Sequence, residues 1–145
     1  GHEIGHVIAR HGAERMSEAM VIAVGGALGS AVVEAKTEDP KWKQGFELAY
    51  GGATLIGRVL PHSRANESES DRMGAIYAAR AGYDPRAAIT FWQKMKAQKQ
   101  GAAGAGGGTL GAMMSTHPAD EKRIADLKAL MPQVVPIYEQ NRGKQ

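Results

Sequence analysis

Residues 2–6 read His-Glu-Ile-Gly-His, two histidines four positions apart with a glutamate directly after the first. That spacing fixes the backbone before anything else in the chain does. Positions i and i+4 share one face of a helix, with Cβ atoms roughly 5–6 Å apart. Two imidazoles placed there converge on a single ion at about 2.0–2.1 Å each. Glu3 lies one residue round from His2, so its carboxylate can reach a water beside that ion without being a ligand itself. H-E-x-x-H is the pattern in which two histidines, here His2 and His6, hold zinc and the glutamate acts as general base. Short motifs also recur by chance, so the rest of the chain has to supply the context.

The 145 residues suffice for one domain with a modest core. With 43% hydrophobic and 23% charged residues the composition is that of an ordinary globular chain rather than a disordered one. The formal net charge of +3 is small and scattered, with no Lys/Arg-rich block, so no nucleic-acid partner is expected. The absence of cysteine excludes a disulfide framework and a thiolate zinc site, and is compatible with an oxidising compartment. The chain opens on Gly1 with the motif helix starting at once, and no residues ahead of it to cap its first amides. The expectation is the C-terminal part of a longer protein, with any signal peptide, lipid anchor or membrane segment upstream.

Read for periodicity, the chain is mainly α, with no strand pattern and no internal repeat. A first helix is expected over residues 2–11, broken or kinked at Gly12, and a second over 13–36. The centre of the second, AMVIAVGGALGSAVV at 19–33, is fifteen uncharged residues, short of the roughly 20 that span a bilayer. It reads as a buried core helix in close contact with another, the rival being a surface that dips into a membrane or docks on a partner. Pro40 should end that segment, and a third helix is expected at 44–60, its glycines at 45, 51, 52 and 57 suggesting tight packing. Pro61-His62 should break the chain before a fourth helix at 64–81, capped by Ser63 and closed by Gly82. A fifth, entered through Asp84-Pro85, should reach Lys99, with Ile89, Phe91, Trp92 and Met95 as core. Residues 101–114 form a glycine-rich flexible loop, and a last helix is expected at 119–130, stopped near Pro132.

A catalytic zinc usually has three protein ligands and one open position. A third histidine in H-E-x-x-H-x-x-G-x-x-H would need Gly at 9 and His at 12, where this chain has Ala9 and Gly12. His11 points about 140° round the helix from His6 and reads as a polar residue at the helix end. The other arrangement takes a carboxylate from a second helix. Glu67 and Asp71 are four apart on one face, so one could bind zinc while the other orients a ligand histidine; Glu69 points roughly 160° away. An acidic cluster at a helix start also suits the helix dipole, by about 0.3–1 kcal/mol, and only the neighbouring motif favours the metal reading. His62 has no motif partner and reads as structural or exposed.

GHEIGHVIARHGAERMS, SRANESESDRMGAIYAARAGYDP and STHPADEKRI, in that order and together spanning residues 1 to about 124, resemble metallopeptidase family forty-eight. This is the group of the HtpX-type membrane proteases and CAAX prenyl proteases, and the likeness is to its bacterial periplasmic and mitochondrial stress-protease branch. The resemblance implies one zinc ion per chain, held by His2, His6 and Glu67, with Glu3 as catalytic base and Asp71 as companion of the third ligand. It places His117 near the metal, either stabilising the tetrahedral intermediate or capping zinc at rest; helix capping beside Pro118 is the plainer alternative. Ser70 stands where the family often has alanine. The implied fold is the helical C-terminal part of a zincin-like metalloprotease domain, whose upstream β region, with the edge strand that pairs with substrate, is absent from this chain. The implied activity is zinc-dependent endopeptidase action on polypeptides, with misfolded envelope proteins as the expected substrates, in the bacterial periplasm or at a membrane reached through the missing N-terminal region. The alternative is a zinc-binding chaperone-like or interaction module without turnover.

Overall fold

The computed structural model describes residues 1–101, 117 and 121–143. Every element among them is helical: α1 (His2–Ile8), α2 (His11–Lys36), α3 (Pro40–Thr54), a π-helical turn (Leu55–Val59), α4 (Leu60–Arg80), α5 (Arg86–Gly101) and α6 (Glu121–Asn141). The mainly α expectation holds. The glycine-rich stretch 101–114 lies, past its first residue, outside the described residues. The chain falls into two compact units, one of residues 1–9 and 67–145 and the other of residues 10–66.

In the first unit the core joins Ala75 and Ala79 of α4, Trp92 and Met95 of α5, and Ile124, Leu127, Leu130 and Val134 of α6. The α6 residues recur at helical spacing and form one apolar stripe. That stripe explains why α6 does not stop near Pro132 as the sequence suggests. Pro132 and Pro136 both sit inside the helix, where each removes a hydrogen bond at about 3 kcal/mol. Both are exposed, so the carbonyls they free face water, while Val134 is buried and Ile137 and Tyr138 pack on the core beyond them. Burial on one face outweighs the prolines on the other. Gly82, in the left-handed region with φ 79°, closes α4 as expected. Asp84 caps α5 through its carboxylate, which accepts from Arg86 N at 2.9 Å.

The first helix ends at Ile8, three residues early, and Gly12 lies inside α2. The break falls instead at Arg10, a non-glycine residue with φ 57°. His11, expected at the polar end of the first helix, is buried and starts the second.

In the second unit α2 and α3 form an antiparallel hairpin. Pro40 opens α3 rather than only ending what precedes it: Asp39 Oδ1 accepts from Lys41 N at 3.0 Å, and proline at the first helical position loses no intrahelical bond. The close contact comes from the glycines of α2, not those of α3. A Cβ on Gly29 would lie 2.1 Å from Phe46 Cζ and one on Gly25 2.5 Å from Tyr50 Oη, whereas Gly45, Gly51, Gly52 and Gly57 face open space. Pro61 does not break the chain. In the π turn before it the Leu60 amide already reaches back five residues to Leu55 O, and the wider turn takes the proline ring without a kink to coil. His62 is structural, with Nε2 3.2 Å from Glu14 Oε1 and Nδ1 3.4 Å from Glu18 Oε2. The reading of residues 19–33 as a buried core helix is wrong: no residue of the apolar window of α2 is buried. Within this unit α3 packs on one face of the helix and leaves its aliphatic side chains exposed.

Candidate metal centre

The site is built within the first unit, from α1, the part of α4 after Asn66, α5, the start of α6 and His117. Close backbone approach sets it. A Cβ on Gly5 would lie 2.6 Å from Ser70 Oγ and 2.7 Å from Ser70 O, and Gly1 and Gly74 meet as tightly. Ser70 is fully buried and its hydroxyl donates to the His2 carbonyl. The serine that departs from the family's usual alanine thus ties α1 to α4 beside the histidines.

That contact sets His2 and His6 against Glu67. His2 Nε2 and His6 Nε2 are 3.1 Å apart, Glu67 Oε2 is 3.2 Å from the first and Glu67 Oε1 3.3 Å from the second. Ligands about 2.05 Å from a tetrahedral zinc stand roughly 3.3 Å from one another, and the spacings here are of that length, with Glu67 turning one carboxylate oxygen to each histidine. One donor atom each from His2, His6, Glu67 and His117 lie within 4.8 Å of one another. His117 Nδ1 is 2.8 Å from Glu67 Oε1, and its Nε2 is 3.6 Å from Glu3 Oε1. The Glu3 side chain is 66% exposed, against 8% for Glu67, which separates a group open to solvent from one built into the wall.

Behind the donors sits a second carboxylate. Asp71 Oδ1 lies 2.8 Å from His2 Nδ1 and accepts from Trp92 Nε1 at 3.1 Å. Arg123, which the sequence reading passed over, binds both acids. Its Nε and Nη2 donate to Asp71 at 2.7 and 2.9 Å, its Nη1 is 2.9 Å from Glu67 Oε2, and its guanidinium lies 4.0 Å from the Trp92 ring centroid. A signal existed: Arg123 is four residues before Leu127, on the buried stripe of α6, where a lone surface charge has no place. Trp92, expected as a core residue, also donates to Asp71.

The electrostatics follow from burial against pairing. Burial works against a charged His2, but its bonds to Asp71 and Glu67 and the charge of Asp71 outweigh it and raise the ring to about 9. Burial likewise opposes ionised Glu67, yet bonds from His2 and His117 and the charge of Arg123 hold it down at about 2. Asp71 is depressed too, burial being outweighed by His2 and Arg123. Both carboxylates therefore stay ionised at neutral pH, ready for a cation.

The sequence model of peptidase family M48 matches residues 1–131. The mitochondrial metalloendopeptidase OMA1 of Saccharomyces cerevisiae is 31% identical over 97% of this chain and 37% of its own length. OMA1 of Arabidopsis thaliana is 36% identical over 85% of this chain and 21% of its own. The beta-barrel assembly-enhancing protease of Escherichia coli is 30% identical over 97% of this chain and 28% of its own. The chain thus spans little more than a third of the length of these relatives, or less. No solved structure matches.

Proposed function

Because the chain belongs to peptidase family M48, we propose that it carries the zinc centre of a metalloendopeptidase acting in envelope protein quality control. The observation that carries this reading is the convergence of His2, His6 and Glu67 at tetrahedral edge lengths, with the exposed Glu3 carboxylate beside them. A zinc ion bound there supplies Lewis-acid polarisation of a peptide carbonyl and acidifies a nearby water. Glu3 takes the proton from the attacking water and passes it to the leaving amine. Asp71 holds the His2 ring in the tautomer that presents Nε2, and Arg123 holds Asp71 and Glu67 in place. The likeness to OMA1 and to the beta-barrel assembly-enhancing protease supports misfolded or misassembled envelope polypeptides as substrates, and a bacterial periplasmic or membrane-associated location. A zinc-binding module without turnover gains no such support, since these relatives are all named as peptidases.

His2 carries a proton at neutral pH in the metal-free chain and must give it up to become a ligand. Zinc affinity is therefore expected to rise roughly tenfold per pH unit between about pH 7 and 9, with about one proton released per ion bound. Calorimetry in buffers of different ionisation enthalpy measures both, and a flat affinity over that range would contradict the role of His2.

His117 stands within the donor set, and four protein ligands make a closed site of the structural kind. We assign it to capping the ion at rest, to be displaced by an incoming polypeptide. His117→Ala is then expected to raise the initial rate of casein cleavage several-fold with one zinc retained. A fall of about 10²–10³-fold would assign His117 to the developing oxyanion instead.

A further inference from the structure

The hairpin of α2 and α3 is built inside out. Its contact face carries Gly25, Gly26 and Gly29 against Phe46 and Tyr50, while Met20, Val21, Val24, Leu28 and Val32 point outward and are more than half exposed. Leu48 and Ile56 of α3 and the turn after it are exposed likewise. Small residues where helices touch and branched aliphatics outside is the arrangement of helices in lipid, where packing and not hydrophobic burial holds the pair together.

Three further observations point the same way. Residues 19–33 of α2 are apolar on every side, and a helix of that kind belongs in a protein core or a membrane; here no residue of its apolar window is buried. A soluble partner docking in a groove would need one stripe, not the whole circumference. The hydroxyls within the apolar band are satisfied inside the hairpin: Tyr50 Oη donates to Ile22 O at 3.0 Å, Thr54 Oγ1 to Tyr50 O at 2.8 Å and Ser30 Oγ to Glu47 Oε1 at 3.4 Å. That is what hydrocarbon demands of polar groups. Apart from Glu47, which faces Ser30 within the hairpin, the paired charges lie at its two ends. Arg58 and His62 pair with Glu18 at one, and Lys43 pairs with Glu34 at the other, beside the exposed Trp42. Tryptophan is favoured at the headgroup level.

We infer that this hairpin inserts into the hydrocarbon of a lipid bilayer, so that the chain is membrane-held by the segment between its two candidate metal-binding motifs. The glycine face is already taken by α3, which leaves a second copy of the chain no such surface to use. At about 22 Å the uncharged run of α2 is shorter than the roughly 30 Å hydrocarbon core, so Glu18 and Glu34 fall at its edges and the bilayer thins to meet them.

The 145-residue chain, transferred from mild detergent to vesicles of phosphatidylcholine alone, is expected to float with the lipid and to stay there through high-salt and carbonate washes. Val24→Asp/Leu28→Asp should cut the floated fraction at least tenfold while zinc content and helical circular dichroism persist. Should that variant lose its helicity, labelling decides. The sequence has no cysteine, so Leu28→Cys and Lys41→Cys each give one fluorophore, quenched by acyl-chain nitroxides at position 28 and not at 41. Three results would overturn the inference: a chain left in the aqueous fraction, binding only to anionic vesicles that salt reverses, or equal quenching at both positions.

Discussion

Arg123→Gln is expected to disable the metal centre without touching a metal ligand. The guanidinium is 3% exposed and is shared between Asp71 and Glu67, both also buried. Removing it leaves two carboxylates side by side in a low-dielectric wall. Breaking a buried ion pair from one side costs about 3–5 kcal/mol, because the remaining charge is uncompensated. The carboxylates can answer by taking up protons, which removes Glu67 as a donor, or by moving apart, which frees His2 from Asp71. Trp92 loses the cation over its ring and keeps its hydrogen bond only if Asp71 stays. The first unit should therefore melt well below the wild type, and zinc affinity should drop by at least about 10–100-fold, the usual cost of losing an outer partner of a ligand. Arg123→Lys, which restores charge without the fork, should lie between the two. Thermal unfolding with and without zinc, together with competition by a chromophoric chelator, measures both effects. Wild-type melting and wild-type affinity in Arg123→Gln would mean that the two acids do not depend on the arginine.

Most of the candidate donor set was legible in the sequence because its spacing is a helical fact. His2 and His6 lie four apart, as do Glu67 and Asp71, and a four-residue step puts each pair on one face whatever the rest of the fold does. Arg123 was not legible in that way. It acts from a third helix, more than fifty residues from Glu67 in sequence, and only the packing of α6 on α4 and α5 brings it home. The helix boundaries that failed did so where local rules met larger forces. Pro132 should stop a helix, but the buried Val134 beyond it carries α6 on. Pro61 should break one, but the π turn at Leu55–Val59 absorbs it. An apolar run such as 19–33 suggests a core helix because apolar helices usually are buried; the exposure of its aliphatic side chains in the second unit follows from packing that the run itself does not encode. The glycines misled for a related reason: their tight partners are set by Phe46 and Tyr50, so those of α2 matter and those of α3 do not.

Glu3→Gln separates cutting from binding. Glutamine keeps the size and the hydrogen-bonding of glutamate but cannot accept the proton of an attacking water. Glu3 is the most exposed of the acids at the centre, and its carboxylate stands 3.6 Å from His117, so neither the fold nor the ion should miss its charge. General base catalysis contributes about 10²–10⁴-fold, and that is the expected loss in the rate of casein cleavage per bound zinc. The decisive measurement is therefore cleavage rate and zinc stoichiometry on the same samples of wild type and Glu3→Gln. One zinc per chain in both, with cleavage in the wild type and at least a hundredfold less in the variant, is the predicted result. Equal cleavage by the two would contradict it.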